Sequence, residues 1–330
     1  MLLEPCAGAQ DIRVAGHSPH SGGPQRRRTR IQTVSLPSLT RGRACLALPA
    51  AALLAFASSC VVSPPDAATD RPRSIETARW IDLTHAYDAE TVFWPTGKPF
   101  EHLETAWGVT GQGYFYSSFD LYTSEHAGTH IDAPIHFSAG KRTVDEIPLD
   151  ELAGPAAVVD VSVQVAANPD YLVSPEDLAR HEQQYGPIEA GAIVLIRSGW
   201  SERWPDAKAY LGDDTPGRAD NLHFPGIGPA AARALVERRV KAVGIDTASI
   251  DHGPSRDFQT HQILLGAQIP GLENLTGLVS LPARGAWVIA MPMKIGRGSG
   301  GPCRVAALIW PEFFTLGAVG TGSIDGVIGD

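Results

Sequence analysis

Residues 126–137 decide how this sequence is interpreted, and they read His126-Ala127-Gly128-Thr129-His130-Ile131-Asp132-Ala133-Pro134-Ile135-His136-Phe137. Three imidazoles and one carboxylate fall within this run: His126, His130, Asp132 and His136. Two imidazoles and a carboxylate this close in sequence can bind one divalent metal ion. Three protein ligands leave a coordination position open, as in catalytic rather than structural metal sites. The segment therefore predicts a metal-dependent hydrolase.

Chance is a weak explanation of this pattern. The chain contains 11 His and 36 Asp plus Glu among 330 residues. An H-x-x-x-H-x-(D/E)-x-x-x-H run is then expected in about one such chain per thousand. The alternative interpretation is a set of unrelated surface or capping histidines.

The backbone of residues 126–137 is expected to be extended or turning rather than helical. A helix would place His126 and His130 on one face. However, Gly128, Pro134 and two β-branched residues between them oppose a helix. In an extended chain the four polar residues share one parity and therefore one side. We expect all four side chains to point into a single cleft.

The composition is that of a globular protein with a full core. Hydrophobic residues make up 43% of the chain and charged residues 19%. The 34 Gly and 26 Pro favour a loop-rich, sheet-rich body over a helix bundle. A formal net charge of −9 argues against nucleic acid as a partner.

Residues 1–60 have the features of a segment for export. They contain seven Arg against two acidic residues, and an apolar stretch follows at 44–56 that is too short to span a bilayer. Residues 55–57 form an A-x-A cleavage site, whereas 57–60 resemble a bacterial lipobox that would leave Cys60 lipidated. We therefore expect a periplasmic or lipid-anchored protein. The alternative is an apolar helix that belongs to the fold.

The rest of the chain predicts one mixed α/β domain. Residues 61–78 are polar with paired prolines and are interpreted as a linker, so the hydrolase domain is assigned to 79–330. Short apolar runs flanked by Gly or Pro predict buried strands at 157–161, 192–196, 240–245, 286–290 and 305–309. A capping box at Ser174 and a Gly228-Pro229 start predict two helices.

A second group of candidate ligands lies downstream. Residues 257–266 predict a short helix that contains His261, and Glu273 follows among apolar residues, where an unpaired carboxylate is costly. The alternative for Glu273 is a simple ion pair with an arginine. Asp246 and Asp251 are interpreted either as hydrogen-bond partners of ligands or as turn caps, and residues 296–301 as a loop.

Residues 126–137 resemble the H-x-G-T-H-x-D-x-P-x-H signature of the bacterial kynurenine formamidase and putative cyclase family. The resemblance covers residues 79–311 and includes Asp82-Leu83-Thr84-His85 and Phe93-Trp94-Pro95, as well as the spacing of His261 and Glu273. It implies a swivelling β/β/α fold, a homo-oligomer and zinc or manganese as the metal.

The resemblance also implies roles for individual residues. His126, His130 and Asp132 would bind a first metal ion, and His261 and Glu273 would complete a second position. His136 would transfer protons, and Trp94 would line the substrate pocket. The added length between Ser162 and Phe224 and the residues within the signature resemble those of the isatin hydrolase branch. In that branch a single manganese is held by the first three ligands. The number of ions, one or two, is left open.

The expected reaction is the hydrolysis of a C–N amide bond in a small aromatic substrate. Two bonds fit: an N-formyl arylamide such as N-formylkynurenine, or an isatin-type lactam. A divalent metal can activate water for this reaction near neutral pH. The alternative from another class is an exported metal- or ligand-binding protein without turnover.

Overall fold

Short apolar, β-branched runs form the strands of one large sheet, as the sequence predicts. The computed structural model describes residues 74–311, and its strands are β1 Arg79–Asp82, β2 Glu101–Val109, β3 Phe115–Tyr122, β4 His130–Asp132, β5 Ala153–Asp160, β6 Leu172–Val173, β7 Ile193–Arg197, β8 Gly226–Ile227, β9 Ala242–Ile245, β10 Gly271–Glu273, β11 Arg284–Pro292 and β12 Gly300–Ile309. All five predicted strands are present among them, within a few residues of their predicted bounds.

Helices occupy the connections between these strands. They are α1 Ser162–Ala167, α2 Pro175–Tyr185, α3 Ala207–Leu211, α4 Pro229–Glu237 and α5 Gln259–Gly266. The predicted capping box of α2 is present, because the Asp177 amide donates to Ser174 Oγ and the Ser174 amide donates back to the Asp177 carboxylate. Helices α1 and α3 have only six and five residues, and no capping or periodic pattern predicts them.

The large sheet closes on itself like a barrel. Its strand order is β1-β12-β11-β5-β7-β9-β10-β4, and β4 also pairs with β12. The strands β5, β7, β9 and β10 run parallel to one another, and antiparallel pairs complete the ring. The predicted mixed α/β class is therefore confirmed.

Both faces of the central strands are buried, which explains their uninterrupted apolar runs. Along β7, Val194 and Ile196 pack in one hydrophobic cluster with residues of α2 and α4, whereas Ile193 and Leu195 pack in a second cluster with β11 and β12. Full burial of each such side chain contributes about 1.5–3 kcal/mol. These two clusters fix the sheet that holds the candidate ligands.

Strands β2 and β3 form a separate hairpin, residues 101–122, hereafter the β2–β3 hairpin. Within residues 74–311 these two strands pair only with each other. The hairpin exposes a large share of its apolar side chains to solvent: Leu103, Trp107, Val109, Tyr114, Phe115, Tyr116, Leu121 and Tyr122. The sequence analysis did not identify it as a unit.

The predicted export segment, its cleavage or lipidation at Cys60 and most of the linker lie outside the described residues. The described part begins with a short 3₁₀ helix at Ile75–Thr77, and β1 starts at Arg79, where the folded body was expected to begin. Of the helices in residues 74–311, none has the length and apolar character needed to cross a bilayer.

Candidate metal centre

The three-residue strand β4 places two of the predicted ligands on one side of the sheet. It lies between β10 and β12, so that Glu273 is directly opposite His130 on one side and Gly300 is opposite Asp132 on the other. His130 and Asp132 are two residues apart and therefore point the same way. A Cβ atom at Gly300 would lie 2.5 Å from the Ile131 carbonyl oxygen, so only glycine fits there.

A tight turn precedes β4 and brings His126 back towards it. Gly128 has a φ of +58°, and a Cβ atom at this position would lie 2.7 Å from the Tyr87 ring. The Tyr87 hydroxyl donates to the carbonyl oxygens of Ala127 at 2.7 Å and Thr129 at 2.5 Å. Glycine is thus required both for the left-handed backbone and for the close approach of Tyr87.

The turn corrects one detail of the sequence-based expectation. The four polar residues do not lie along one continuous strand, because Gly128 breaks it and residues Pro134–His136 form a 3₁₀ turn. They nevertheless converge, as expected, because the two turns fold the ends of the segment over β4.

Five predicted ligands, hereafter the donor cluster, meet around Asp132: His126, His130, Asp132, His261 and Glu273. The Asp132 Oδ1 atom lies 2.7 Å from His126 Nδ1 and 3.3 Å from His130 Nε2, while Oδ2 lies 3.0 Å from His261 Nε2. The Glu273 carboxylate lies 3.3 Å from His130 Nε2 and 3.2 Å from His261 Nε2. Two groups that could hold a metal ion thus share Asp132.

The outer hydrogen bond of each imidazole fixes its tautomer. His130 Nδ1 lies 2.9 Å from the Gly128 carbonyl oxygen, and His261 Nδ1 lies 2.7 Å from the Asp251 carboxylate. Since both partners only accept hydrogen bonds, each Nδ1 must hold the proton. The Nε2 atoms of both rings then turn their lone pairs towards the carboxylates.

His126 is held the same way through its other nitrogen. The Ser299 hydroxyl donates to Glu125 at 2.6 Å and therefore accepts from His126 Nε2 at 2.9 Å. His126 Nδ1 then presents its lone pair to Asp132.

This donor set fits a metal cation. In the neutral tautomers, three imidazole lone pairs face two carboxylates, an arrangement that is repulsive unless a proton or a metal ion lies between them. His130 Nε2 is buried and lies 3.3 Å from both the Asp132 and the Glu273 carboxylate. Asp132 and Glu273 are only 1% and 4% exposed. Imidazole nitrogen with carboxylate oxygen suits zinc and manganese alike.

The pKa values of His130 and Asp132 also indicate that the donor cluster needs positive charge. Burial alone would lower the pKa of His130, but hydrogen bonds and charges from Asp132 and Glu273 outweigh it and raise this pKa to about 10. Burial likewise opposes ionisation of Asp132, yet the neighbouring histidines hold the pKa of its carboxyl well below the usual range. The protein therefore stabilises buried carboxylates that need a cationic partner.

Helix α5 positions His261 through Asp251. The Asp251 carboxylate accepts hydrogen bonds from the backbone amides of Thr260 and His261, both at 3.1 Å, as well as from the His261 ring. Such a carboxylate–histidine pair orients a metal ligand. Asp251 is thus a hydrogen-bond partner of a candidate ligand. Asp246 is not, because it accepts from the loop at Ser198 and Gly199 instead.

A cavity of about 270 Å³ opens beside the donor cluster. His136 lines it and stacks on His126 with 3.9 Å between ring centroids. Burial lowers the pKa of His136 to about 4, so its ring is neutral at pH 7. Trp94, the predicted pocket residue, lies in the cavity wall together with Phe137 and Phe258. The wall of the cavity therefore combines imidazoles and a carboxylate with aromatic rings.

Sequence reasoning missed several residues of this site. Ser299 comes from the segment interpreted only as a loop, and Glu125, next to the signature, accepts hydrogen bonds from its amide and hydroxyl. Phe258 precedes α5 without any recognisable pattern. Histidines given no role in the sequence analysis, such as His102 and His223, lie outside the donor cluster.

Comparison with known proteins agrees with this geometry. The model of a family described as putative cyclase matches residues 81–252. The chain belongs to the putative cyclase family. Isatin hydrolase of Roseibium aggregatum is 35% identical to this chain over 205 residues, which cover 60% of this chain and 76% of that protein. Kynurenine formamidase of Salinibacter ruber is 31% identical over 234 residues, which cover 70% and 98%.

Solved structures of the cyclase family match the fold described above. Isatin hydrolase A from Labrenzia aggregata, bound to benzyl benzoate, superposes with a TM-score of 0.65 at 35% identity and covers 71% of this chain and 94% of its own. An isatin hydrolase bound to the product analogue thioisatinate gives 0.65 at 30% identity, with 71% and 93% covered. The predicted class is confirmed: the chain is a metal-dependent amidohydrolase that acts on C–N bonds.

Proposed function

We propose that this protein hydrolyses the C–N bond of a small aromatic amide, either an N-formyl arylamide or an isatin-type lactam. The observation behind this proposal is the lining of the cavity, in which His126, His136, His261 and Glu273 lie beside the aromatic rings of Trp94, Phe137 and Phe258. Relatives named isatin hydrolase and kynurenine formamidase support the same pair of substrates.

The size of the cavity favours a compact substrate. Its volume of about 270 Å³ lies near the lower end of small-molecule sites, which hold about 300–1,000 Å³. The Trp94 and Phe137 rings can contact an aryl group and thereby direct the amide carbonyl towards the donor cluster. Holding the two reactants in this geometry removes much of the entropic part of the barrier.

The donor cluster would hold the metal through His126, His130 and Asp132, with His261 and Glu273 available on the other oxygen of Asp132. A bound divalent cation supplies Lewis acidity, which acidifies water and polarises a carbonyl. The outer contacts from Ser299, the Gly128 carbonyl and Asp251 keep the three imidazoles in the orientation that this binding requires.

His136 would move the proton. A ring nitrogen of His136 accepts the proton of the attacking water as the new C–O bond forms at the carbonyl carbon. The same nitrogen then returns the proton to the amide nitrogen as the C–N bond breaks. The products are a carboxylic acid and an aryl amine, joined in one molecule when the substrate is a lactam.

A substrate panel tests this function. Purified protein loaded with manganese or with zinc is incubated with N-formylkynurenine, formanilide and isatin, and the gain of one water is followed by mass spectrometry. We expect hydrolysis of at least one substrate and its loss in His136→Ala. Tight binding of these compounds with no turnover under either metal would instead favour a binding protein.

Metal identity and number are open to direct measurement. Because the two oxygens of Asp132 face different imidazoles, the cluster can accommodate one or two ions. Elemental analysis of the purified protein, compared with His261→Ala, separates the cases. With two ions the variant loses one equivalent, whereas with a single ion at the first three ligands it keeps that ion.

We also propose that the protein is a homo-oligomer that uses the β2–β3 hairpin. A two-stranded hairpin is marginally stable alone in water. Its eight exposed apolar side chains would bury on the order of 800 Å² per protomer, the area of a standard interface. Light scattering of the double variant Trp107→Ser, Phe115→Ser should give a smaller molar mass than wild type, and an unchanged mass would exclude this surface.

Export through residues 1–60 is proposed on sequence alone. The Arg-rich start and the short apolar stretch support it, and Cys60 is the residue that would be lipidated. Mass spectrometry of the mature N-terminus, compared with Cys60→Ala, tests both export and the lipid anchor. An unprocessed N-terminus in the native host would contradict the proposal.

A further inference from the structure

Phe258 forms a wall of the cavity beside the donor cluster, although no sequence pattern singles it out. Its ring centroid lies 6.2 Å from that of Trp94 with an interplanar angle of 62°, and 5.5 Å from that of Phe137 at 43°. The imidazole of His261 is 6.1 Å away at 78°. Phe258 thus lies close both to the other aromatic rings of the cavity and to a candidate metal ligand.

The backbone of Phe258 adopts a conformation that bulky residues avoid. Its φ of +50° and ψ of +45° lie in the left-handed region, where glycine and asparagine are favoured. Phe258 occupies the N-cap position of α5 but makes no side-chain capping hydrogen bond. Neither local conformation nor helix capping therefore explains a phenylalanine here. Strained residues held at a ligand site often serve that site.

The surrounding turn holds this strained residue in place. The Phe258 amide donates to Ser255 Oγ at 3.2 Å, and the Phe258 carbonyl accepts from the Gln262 amide at 3.1 Å. Asp251 collects the amides of Thr260 and His261 on the same turn. Since Asp251 also orients the His261 ring, the backbone of this turn is held in place relative to the donor cluster.

We propose that Phe258 is a specificity-determining residue that selects amides attached to an aromatic ring over amides attached to a saturated ring of similar size. An aryl group between Trp94, Phe137 and Phe258 gains offset or edge-to-face contacts that a cyclohexyl group of the same volume cannot make. This inference rests on the proposed function, because it concerns the substrate group that enters that cavity.

The test compares formanilide with N-cyclohexylformamide in the metal-loaded full-length protein. The ratio of their kcat/KM values is measured for wild type and variants, so that the intrinsic difference in reactivity between the two amides cancels. In Phe258→Asn we expect this ratio to fall about five- to tenfold, mainly through a higher KM for formanilide. Asparagine tolerates the left-handed backbone, so the thermal midpoint should not fall.

Two further variants separate the effect of the aromatic ring from the effects of side-chain volume and of folding. Phe258→Leu keeps apolar volume without a ring and should also lower the ratio, whereas Phe258→Tyr should restore it. Val163→Asn, at an exposed site on α1, is the matched control and should leave the ratio unchanged. A ratio that stays within twofold of wild type in both the Asn and Leu variants would overturn the proposal.

A binding measurement distinguishes failure of this inference from failure of the proposed function. Calorimetric titrations with benzamide and cyclohexanecarboxamide report ring preference without turnover. If wild type hydrolyses neither formanilide nor isatin, the proposed function fails, and the benzamide titrations still test Phe258. If wild type hydrolyses formanilide but Phe258→Asn keeps its preference for benzamide, only the role of Phe258 is rejected.

Discussion

The donor cluster buries polar side chains that proteins usually expose, whereas the β2–β3 hairpin exposes apolar side chains that proteins usually bury. The donor cluster buries two carboxylates and the imidazoles of His130 and His261, with Asp132 only 1% exposed. The hairpin leaves Trp107 63% and Val109 73% exposed. The two regions are neighbours in sequence, since the hairpin ends at Tyr122 and the cluster begins at His126.

Each departure indicates something that the isolated chain does not supply. Buried carboxylates need a cation, and exposed aromatic residues need an apolar surface. The donor cluster is held by hydrogen bonds to Ser299, Asp251 and the Gly128 carbonyl, whereas β2 and β3 form strand pairs only with each other among the described residues. The first region is therefore preorganised for a small ion, and the second is available to a large partner.

The largest expected effect is that of Asp132→Asn, which removes the charge shared by both halves of the donor cluster. We expect hydrolysis to fall about 1000-fold or more and bound metal to be lost, because the cation stabilises the transition state by several kcal/mol. Elemental analysis and steady-state rates measure this. Asp214→Asn, at an exposed carboxylate, is the control. Retention of a tenth of wild-type activity in Asp132→Asn would contradict the role of the donor cluster in hydrolysis.

Metal removal should lower the stability of the protein. A ligand at 100 times its dissociation constant stabilises the folded state by about 2.7 kcal/mol, which corresponds to a shift in Tm of about 5–10 °C for a domain of this size. Thermal unfolding with and without chelator measures the shift. Asp132→Asn should show no shift, and an equal shift in that variant would place the ion elsewhere.

Asp251→Asn should weaken metal binding about 10–100-fold, because the amide no longer fixes the tautomer of His261. The matched control is Asp170→Asn, which removes a carboxylate 2.8 Å from the exposed ring of His223. Competition with a metallochromic dye measures both affinities. Equal losses in the two variants would show that the burial of the pair is unimportant.

The smallest effect is expected for Trp107→Ser in the hairpin. Since its side chain is largely exposed, the free energy of unfolding of the dilute protein should change by less than about 0.5 kcal/mol, and metal content should stay the same. Chemical denaturation and elemental analysis measure these. A loss of metal in this variant would show that the hairpin supports the donor cluster.

Much of the fold could be predicted because it depends on local patterns. The apolar run of β7 predicts a strand buried on both faces, and Ser174 with Asp177 predicts the start of α2. The hairpin also left a signal, since Gly111 and Gly113 separate two segments rich in aromatic and β-branched residues. The polar residues within both segments interrupt the alternation of apolar side chains, so that this signal for a hairpin is weak.

The inner part of the donor cluster was predictable and its surroundings were not. His126, His130 and Asp132 are close in sequence, so that their convergence requires only two turns. Ser299 reaches His126 only because β12 pairs with β4, and no local pattern indicates this contact. Likewise, Asp251 contacts a candidate ligand and Asp246 does not, because their carboxylates face different loops.

The clamping of β4 between β10 and β12 has a consequence for biosynthesis. A ribosome that has released residues up to His136 has delivered the three imidazoles and the carboxylate of residues 126–136, but neither neighbouring strand of β4. Residues 271–273 and 300–302 must emerge before that short strand gains its register. We therefore expect ion uptake to be a late event in maturation, so that a cation probe would report completed folding.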